Sequence, residues 1–192
     1  MTKQSNAESN EQTLDQGIQT ATLAGGCFWC IESAFNSLKG IINATSGYMG
    51  GQVENPTYED ICTGTSGHAE VVQVQFDSQI ISYQEILEIF FSLHNPTQLN
   101  RQGNDIGTQY RSEIFSHDQS QQTIALAIIE AMTQAQYFDQ PIVTKVSPVE
   151  IFYSGEAYHQ GYVENNPGNP YCQAVVSPKL AKFRQTFVAK LK

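Results

Sequence analysis

Thr20-Ala21-Thr22-Leu23-Ala24-Gly25-Gly26-Cys27-Phe28-Trp29-Cys30-Ile31-Glu32-Ser33-Ala34-Phe35-Asn36-Ser37-Leu38-Lys39-Gly40 is the stretch on which the fold turns. Its first five residues alternate weakly and meet two glycines. Phe28, Ile31, Ala34, Phe35 and Leu38 then recur at the three-and-four spacing of a helix with one apolar face. The stretch predicts a strand, a tight turn and a helix that stops at Gly40. Residues 41–48 and 69–76 predict strands, the second alternating from Val72 onward as a half-buried strand does, with a loop rich in Gly, Asn, Pro and Thr between them. Ser82, with Glu85 three residues on, predicts a capped helix whose stripe is Ile86, Leu87, Ile89, Phe90 and Leu93, ending near Pro96. Residues 97–110 have no clear period and are long for a connector, and their polar density points to function. Residues 112–116 predict a short strand, 119–136 a helix, 142–149 an extended segment, 157–164 a short helix, and 179–191 a basic-faced terminal helix. Strands and helices mix without strict alternation, which predicts an α+β two-layer domain with helices against a mostly antiparallel or mixed sheet. Residues 1–19, rich in Gln, Asn, Ser, Thr and Glu, predict a disordered polar tail ahead of a single domain over 20–192.

The composition narrows the function. With 192 residues and 40% apolar content there is material for one well-buried core. A net charge of −9 would repel nucleic acid and anionic membranes, so neither is an expected partner. No stretch approaches the roughly 20 apolar residues of a membrane span, and no apolar run of a secretory signal opens the chain. A cytoplasmic location is the resulting expectation. Cys27, Cys30, Cys62 and Cys172 are too few and too irregularly spaced for a disulfide scaffold, so chemistry is their expected role.

Cys27 follows the Gly-Gly turn and opens the first helix, where free backbone N–H groups and the helix dipole favour an anion. Its thiol is therefore expected to titrate below its ordinary value of about 8.5, the alternative being a buried structural cysteine. Phe28 and Trp29 are placed either to wall an apolar cavity, with the indole N–H as a donor, or to pack in the core. Cys30 completes a Cys-x-x-Cys at a helix start, the arrangement of thiol oxidoreductases. The same spacing admits zinc only with a second close pair, and Cys62 with His68 is a poor one.

Gly25-Gly26-Cys27-Phe28-Trp29-Cys30, Gly47-Tyr48, Asn55-Pro56-Thr57-Tyr58, Thr65-Ser66-Gly67-His68-Ala69-Glu70 and the run from Gln102 to Ser112, Gln-Gly-Asn-Asp-Ile-Gly-Thr-Gln-Tyr-Arg-Ser, closely resemble the peptide methionine sulfoxide reductase A family. The resemblance spans residues 20–172, and several long motifs in order are more specific than any one of them. It implies a ferredoxin-like α+β fold with a long C-terminal coil and reduction of the S-epimer of methionine sulfoxide, free or in proteins. It also implies no metal and no organic cofactor. By motif, Cys27 is the nucleophile, Glu70 the acid, Tyr58 and Tyr110 donors to the sulfoxide oxygen, and Asp105 a positioning partner, with Phe28 and Trp29 against the substrate.

The chemistry supports such a set. A sulfoxide oxygen leaves only if it is protonated or strongly hydrogen-bonded while a thiolate attacks sulfur, so an acid is needed. Burial beside aromatic rings would raise Glu70 until it holds a proton near neutrality, whereas a solvent-facing strand glutamate is the plainer reading. Tyr58 and Tyr110 keep their O–H at neutral pH and either donate or simply pack. Asp105 lies in a turn-like stretch. His68 reads as a turn or supporting residue, His159 as packing or support, and Cys62 as a small buried residue. After attack, Cys27 is left as sulfenic acid, which a second thiol condenses to a disulfide for a thioredoxin-like dithiol protein to reduce. Cys172, on a Gly/Pro/Asn-rich segment, matches the C-terminal resolving position of the family. The sequence departs from the commoner pattern at Cys30, where glycine is frequent, and Cys30 is expected to resolve or relay. The rivals are a general Cys-x-x-Cys disulfide exchanger, which leaves Glu70 and both tyrosines unexplained, and a zinc-stabilised binding module.

Overall fold

A computed structural model describes residues 17–192. The expected tail lies outside the described residues up to 16, and its last two positions belong to the first strand. β1 (Ile18–Ala24) leads into α1 (Phe28–Asn36), β2 (Ile41–Met49), α2 (Tyr58–Cys62), β3 (Ala69–Asp77) and α3 (Tyr83–Leu93). β4 (Arg101–Gln102) and β5 (Asp105–Ile106) form a small hairpin inside the connector that showed no period. β6 (Glu113–Ser116), α4 (Gln119–Gln134), β7 (Lys145–Pro148), β8 (Tyr153–Ser154), α5 (Tyr162–Asn165) and α6 (Ser177–Thr186) complete the chain.

The main sheet has the order β7-β6-β1-β3-β2-β8, antiparallel throughout except for the parallel β6–β7 pair. The fold is thus α+β with a mixed sheet. Alternation decides its faces. Val72, Val74 and Phe76 of β3 join Phe28, Ile31, Phe35, Ile86 and Phe90 in the large core beneath α1 and α3. Ala69 and Val71, of opposite parity, pack with Met49 and Phe115 in a small cluster on the other face. α3 starts where the sequence places it, with Ser82 and Glu85 in a reciprocal capping box.

The C-terminal stretch is not the long coil expected. It is a chain of short helical pieces: a 3₁₀ turn at Ala157–His159, α5, a π turn at Cys172–Val176, and α6 running on from it. Side-chain bonds from α1 hold it, since Glu32 accepts from the Gly161 N–H at 2.9 Å and Ser33 donates to Glu164. The predicted helix over 157–164 is split at Gly161, whose φ of 60° is left-handed. The terminal helix begins before residue 179 and ends at Thr186, where Phe187 leaves helical geometry.

Candidate active site

The Gly25-Gly26 turn fits a space with no room for side chains. A Cβ on Gly25 would lie 2.8 Å from the Phe90 ring, and one on Gly26, at φ 88°, would lie 2.7 Å from Gln102. The turn delivers Cys27 to the N-cap of α1 with extended backbone, φ −60° and ψ 121°. The β1–β3 register brings the acid there. Leu23 faces Val72, and continuing that antiparallel pairing puts Gly25 opposite Glu70, two residues from Cys27. Glu70 shares the parity of Val72, so its side chain points to the helix face. There the Phe28 N–H donates to Glu70 Oε2 at 3.1 Å. The carboxyl of Glu70 thereby satisfies a free N–H of α1, and the Cys27 side chain accepts no capping bond.

This arrangement overturns one expectation. Burial, then the charges of Glu70 and Cys30, hold the Cys27 thiol well above its ordinary value, although the backbone N–H of Trp29 and the neighbouring Tyr171 hydroxyl pull it down. Desolvation outweighs the helix start. Burial also pushes Glu70 up to about 8, against the lowering effect of the Phe28 N–H and with a further rise from Asp105.

Cys27, Phe28, Trp29, Tyr58, Glu70, Asp105 and Tyr110 line one cavity of about 270 Å³, together with Asn169 and Tyr171. The sequence reading named the first seven. Tyr171 and Asn169 were missed, although the Asn-Pro-Tyr-Cys segment drew notice for its cysteine. Phe28 is only 1% exposed, so it serves the core as much as the cavity. Trp29 stands as a wall, stacked on Tyr162 with centroids 3.7 Å apart and edge-on to Tyr171. Its indole N–H is not free for a ligand, because it donates to His159 Nδ1 at 3.1 Å. That bond fixes the tautomer of buried His159, whose Nε2 carries the hydrogen and faces Glu156 at 3.6 Å. Glu156 in turn accepts from the Tyr58 N–H and the Tyr48 hydroxyl, both at 2.7 Å. Trp29 and Tyr58 are thus braced from one point.

Tyr58 opens α2, which Thr57 and Asp60 cap reciprocally, and Tyr110 ends a 3₁₀ turn at Thr108–Tyr110. Burial first, and the Glu70 charge second, keep both phenols protonated far above neutrality. Asp105 accepts from the Tyr171 hydroxyl at 2.6 Å. His68 is buried support, its Nδ1 accepting from the Gly51 N–H and its Nε2 meeting the Val53 carbonyl, which holds the loop leading to Tyr58.

All four cysteines are free thiols. Cys30 and Cys172 are buried, whereas Cys62 is exposed rather than buried as expected, because it closes a five-residue helix whose only buried side chain is Ile61. Among the described residues no group of three or more His, Cys, Asp or Glu is gathered to hold a metal ion. A larger cavity of about 520 Å³ between α3 and α6 contains none of the catalytic, substrate-binding or resolving residues named from sequence.

A family model described as "Peptide methionine sulfoxide reductase" matches residues 19–191. The chain is 53% identical over 175 residues to the peptide methionine sulfoxide reductase MsrA of Saccharolobus solfataricus, covering 91% of this chain and 98% of the relative. Among solved structures it is similar to reduced Mxr1 of Saccharomyces cerevisiae, with a TM-score of 0.75 and 33% identity over 81% of this chain and 90% of that one. Mxr1 in complex with Trx2 matches with a TM-score of 0.54 and 27% identity, over 77% of this chain and 86% of that one.

Proposed function

The chain belongs to the peptide methionine sulfoxide reductase family and is an oxidoreductase, and from that premise we propose that it reduces the S-epimer of methionine sulfoxide, free or in proteins, with Cys27 as nucleophile. The observation that carries this reading is the buried Glu70 carboxyl, held against the first N–H of α1 beside Cys27 in a cavity walled by Phe28 and Trp29.

In the reacting form Glu70 keeps its proton and Cys27 carries the charge, which the backbone N–H of Trp29 favours. The thiolate attacks the sulfoxide sulfur while Glu70 gives its proton to the oxygen. Tyr58 and Tyr110 donate to that oxygen as charge gathers on it. The S–O bond breaks as the oxygen takes up a second proton and leaves as water. Water then adds at the Cys27 sulfur, the new S–S bond breaks, methionine departs as the thioether, one of the two protons is returned, and Cys27 is left as sulfenic acid. The methyl group rests against Phe28 and Trp29. Asp105 acts by holding Tyr171, its bonded partner, in place in the cavity wall. A second thiol, from Cys172 or Cys30, condenses with the sulfenic acid and releases water, and a thioredoxin-like dithiol protein reduces the disulfide. The complex of the similar Mxr1 with Trx2 supports that partner. A cycle that needs a reduced dithiol protein suits the cytoplasm, and no helix among the described residues is long and apolar enough to cross a membrane. We read the domain as ferredoxin-like on the order β6-β1-β3-β2, which, setting α2 and the β4–β5 hairpin aside, is the fourth, first, third and second strand of a βαββαβ run.

Incubation with each sulfoxide epimer and dithiothreitol tests the assignment. The S-epimer should be consumed by the native protein, the R-epimer spared, and Cys27→Ser should be inactive with both. Retained turnover in Cys27→Ser would remove the nucleophile from the scheme.

A further inference from the structure

Cys30 and Cys172 are buried in one apolar cluster, and Cys27, three residues before Cys30, lines the active cavity. Cys27 and Cys30 stand at the N-cap and third positions of α1. Helix Cα atoms three residues apart are about 5 Å from one another, inside the roughly 4.4–6.8 Å that a disulfide spans. Cys172 is reached from the other side. Tyr171 has helical backbone, φ −65° and ψ −44°, so its side chain and that of Cys172 diverge by about 100° around the axis. The phenol goes into the active cavity, bonded to Asp105 at 2.6 Å and edge-on to Trp29. The thiol goes into the core, 2% exposed, in the same apolar cluster as Cys30. Asn169 Oδ1 fixes this division by accepting from the N–H groups of both Tyr171 and Cys172, at 2.9 and 3.1 Å. A direct approach of Cys172 to Cys27 would have to pull Tyr171 off Asp105 and Trp29. The surroundings of each thiol agree: after burial, the charges acting on Cys27 are those of Glu70 and Cys30, while those acting on Cys30 are Lys179, Cys172 and Asp105.

We propose that Cys30 is an obligatory relay, carrying the oxidising equivalent from Cys27 to Cys172. The inference rests on the reading of Cys27 as the nucleophile. The Cys30 thiol attacks the sulfenic sulfur of Cys27; an S–S bond forms, the S–O bond breaks, and hydroxide leaves with the thiol proton as water. Cys172 then attacks the Cys30 sulfur, giving a Cys30–Cys172 disulfide and returning Cys27 as a free thiol. An external dithiol completes the cycle by taking the two electrons' worth of oxidation. Cys27 is thus restored before the reductant arrives, and one chain can reduce a second sulfoxide unaided.

The test gives excess methionine S-sulfoxide to the native protein, Cys30→Ser, Cys30→Ala and Cys172→Ser without reductant. Methionine is counted, disulfides are mapped by peptide mass after rapid alkylation, and sulfenic acid is trapped with dimedone. The native chain should release two methionines and carry Cys30–Cys172. Cys172→Ser should release one and carry Cys27–Cys30. Both Cys30 variants should release one methionine and stop with Cys27 trapped by dimedone. The two replacements differ in polarity, so agreement between them excludes a packing artefact of either. A Cys27–Cys172 disulfide forming in both Cys30 variants at the native rate would overturn the relay. No methionine from the native chain would instead sink the nucleophile reading, so the two failures are distinguishable.

Discussion

Burial raises the proton affinity of both Glu70 and Cys27, and the Glu70 charge adds to the rise at Cys27. At neutral pH each group therefore holds a proton at rest, and the proposed reaction needs the carboxyl to keep its own while the thiol gives its up. Because Glu70 titrates at about 8 and Cys27 well above its ordinary value, the native rate should rise toward pH 8 as the first proton leaves the pair and fall at higher pH as the second is lost. Glu70→Gln cannot give up a proton, and its rate at pH 7 should drop by roughly 10²–10⁴. It should also lose the alkaline fall that Glu70 causes; a variant within threefold of the native rate at pH 7 would contradict the acid role. The sequence led to Glu70 only through its motif, because a strand glutamate is ordinarily exposed. What buries it is the β1–β3 register and the α1 N–H it satisfies, neither of which is local. Tyr171 was illegible for the same reason, since its partner Asp105 lies 66 residues away. The direction of the Cys27 shift was misread because the helix start is visible in sequence and desolvation is not.

At the scale of elements, the turn before α1 makes the sharpest demand on sequence. Gly26→Ala adds a left-handed alanine and a Cβ 2.7 Å from Gln102. The conformation alone is worth about 1–2 kcal/mol, and the clash adds to it, so Tm should fall by more than about 4 °C and activity should drop as Cys27 is displaced. Gly103→Ala is the control, with φ 60° and nothing within 4 Å of the new Cβ; it should show the conformational loss alone. Equal Tm losses would mean that close packing of the turn is unimportant. Periodicity revealed β1, α1, β2, β3 and α3, because each shows its apolar stripe over at least seven residues. It could not reveal α2, five residues long, although the Thr57–Asp60 capping box was there to be read. It placed α5 only as the end of one helix over 157–164, because the left-handed turn at Gly161 and the bonds from Glu32 and Ser33 that hold this four-residue piece are not periodic signals.

For the molecule as a whole, two buried groups give the stability opposite slopes with pH. The folded-state value of Glu70 is raised from 4.5 to about 8. Its contribution is therefore fully present below the unfolded value and is lost as pH rises through the folded one. Burial lowers His94 from 6.5 to about 4, so its contribution is present above the unfolded value and is lost as pH falls through the folded one. Glu70→Gln removes the first slope only. The Tm of that variant minus the native Tm should therefore grow from pH 5 to pH 9; a constant difference would show that Glu70 is not buried as charge. The α+β class was legible from the mixture of periods, whereas the tethering of the last forty or so residues to α1 was not, because those contacts join positions more than a hundred residues apart. One of them gives the protein an optical reporter. Trp29 is the single indole in the chain, and it lies flat on Tyr162 with the edge of Tyr171 beside it. Those rings and the bonded His159 border the indole, so substrate entry or disulfide exchange that shifts any of them can be followed by fluorescence in the unlabelled protein.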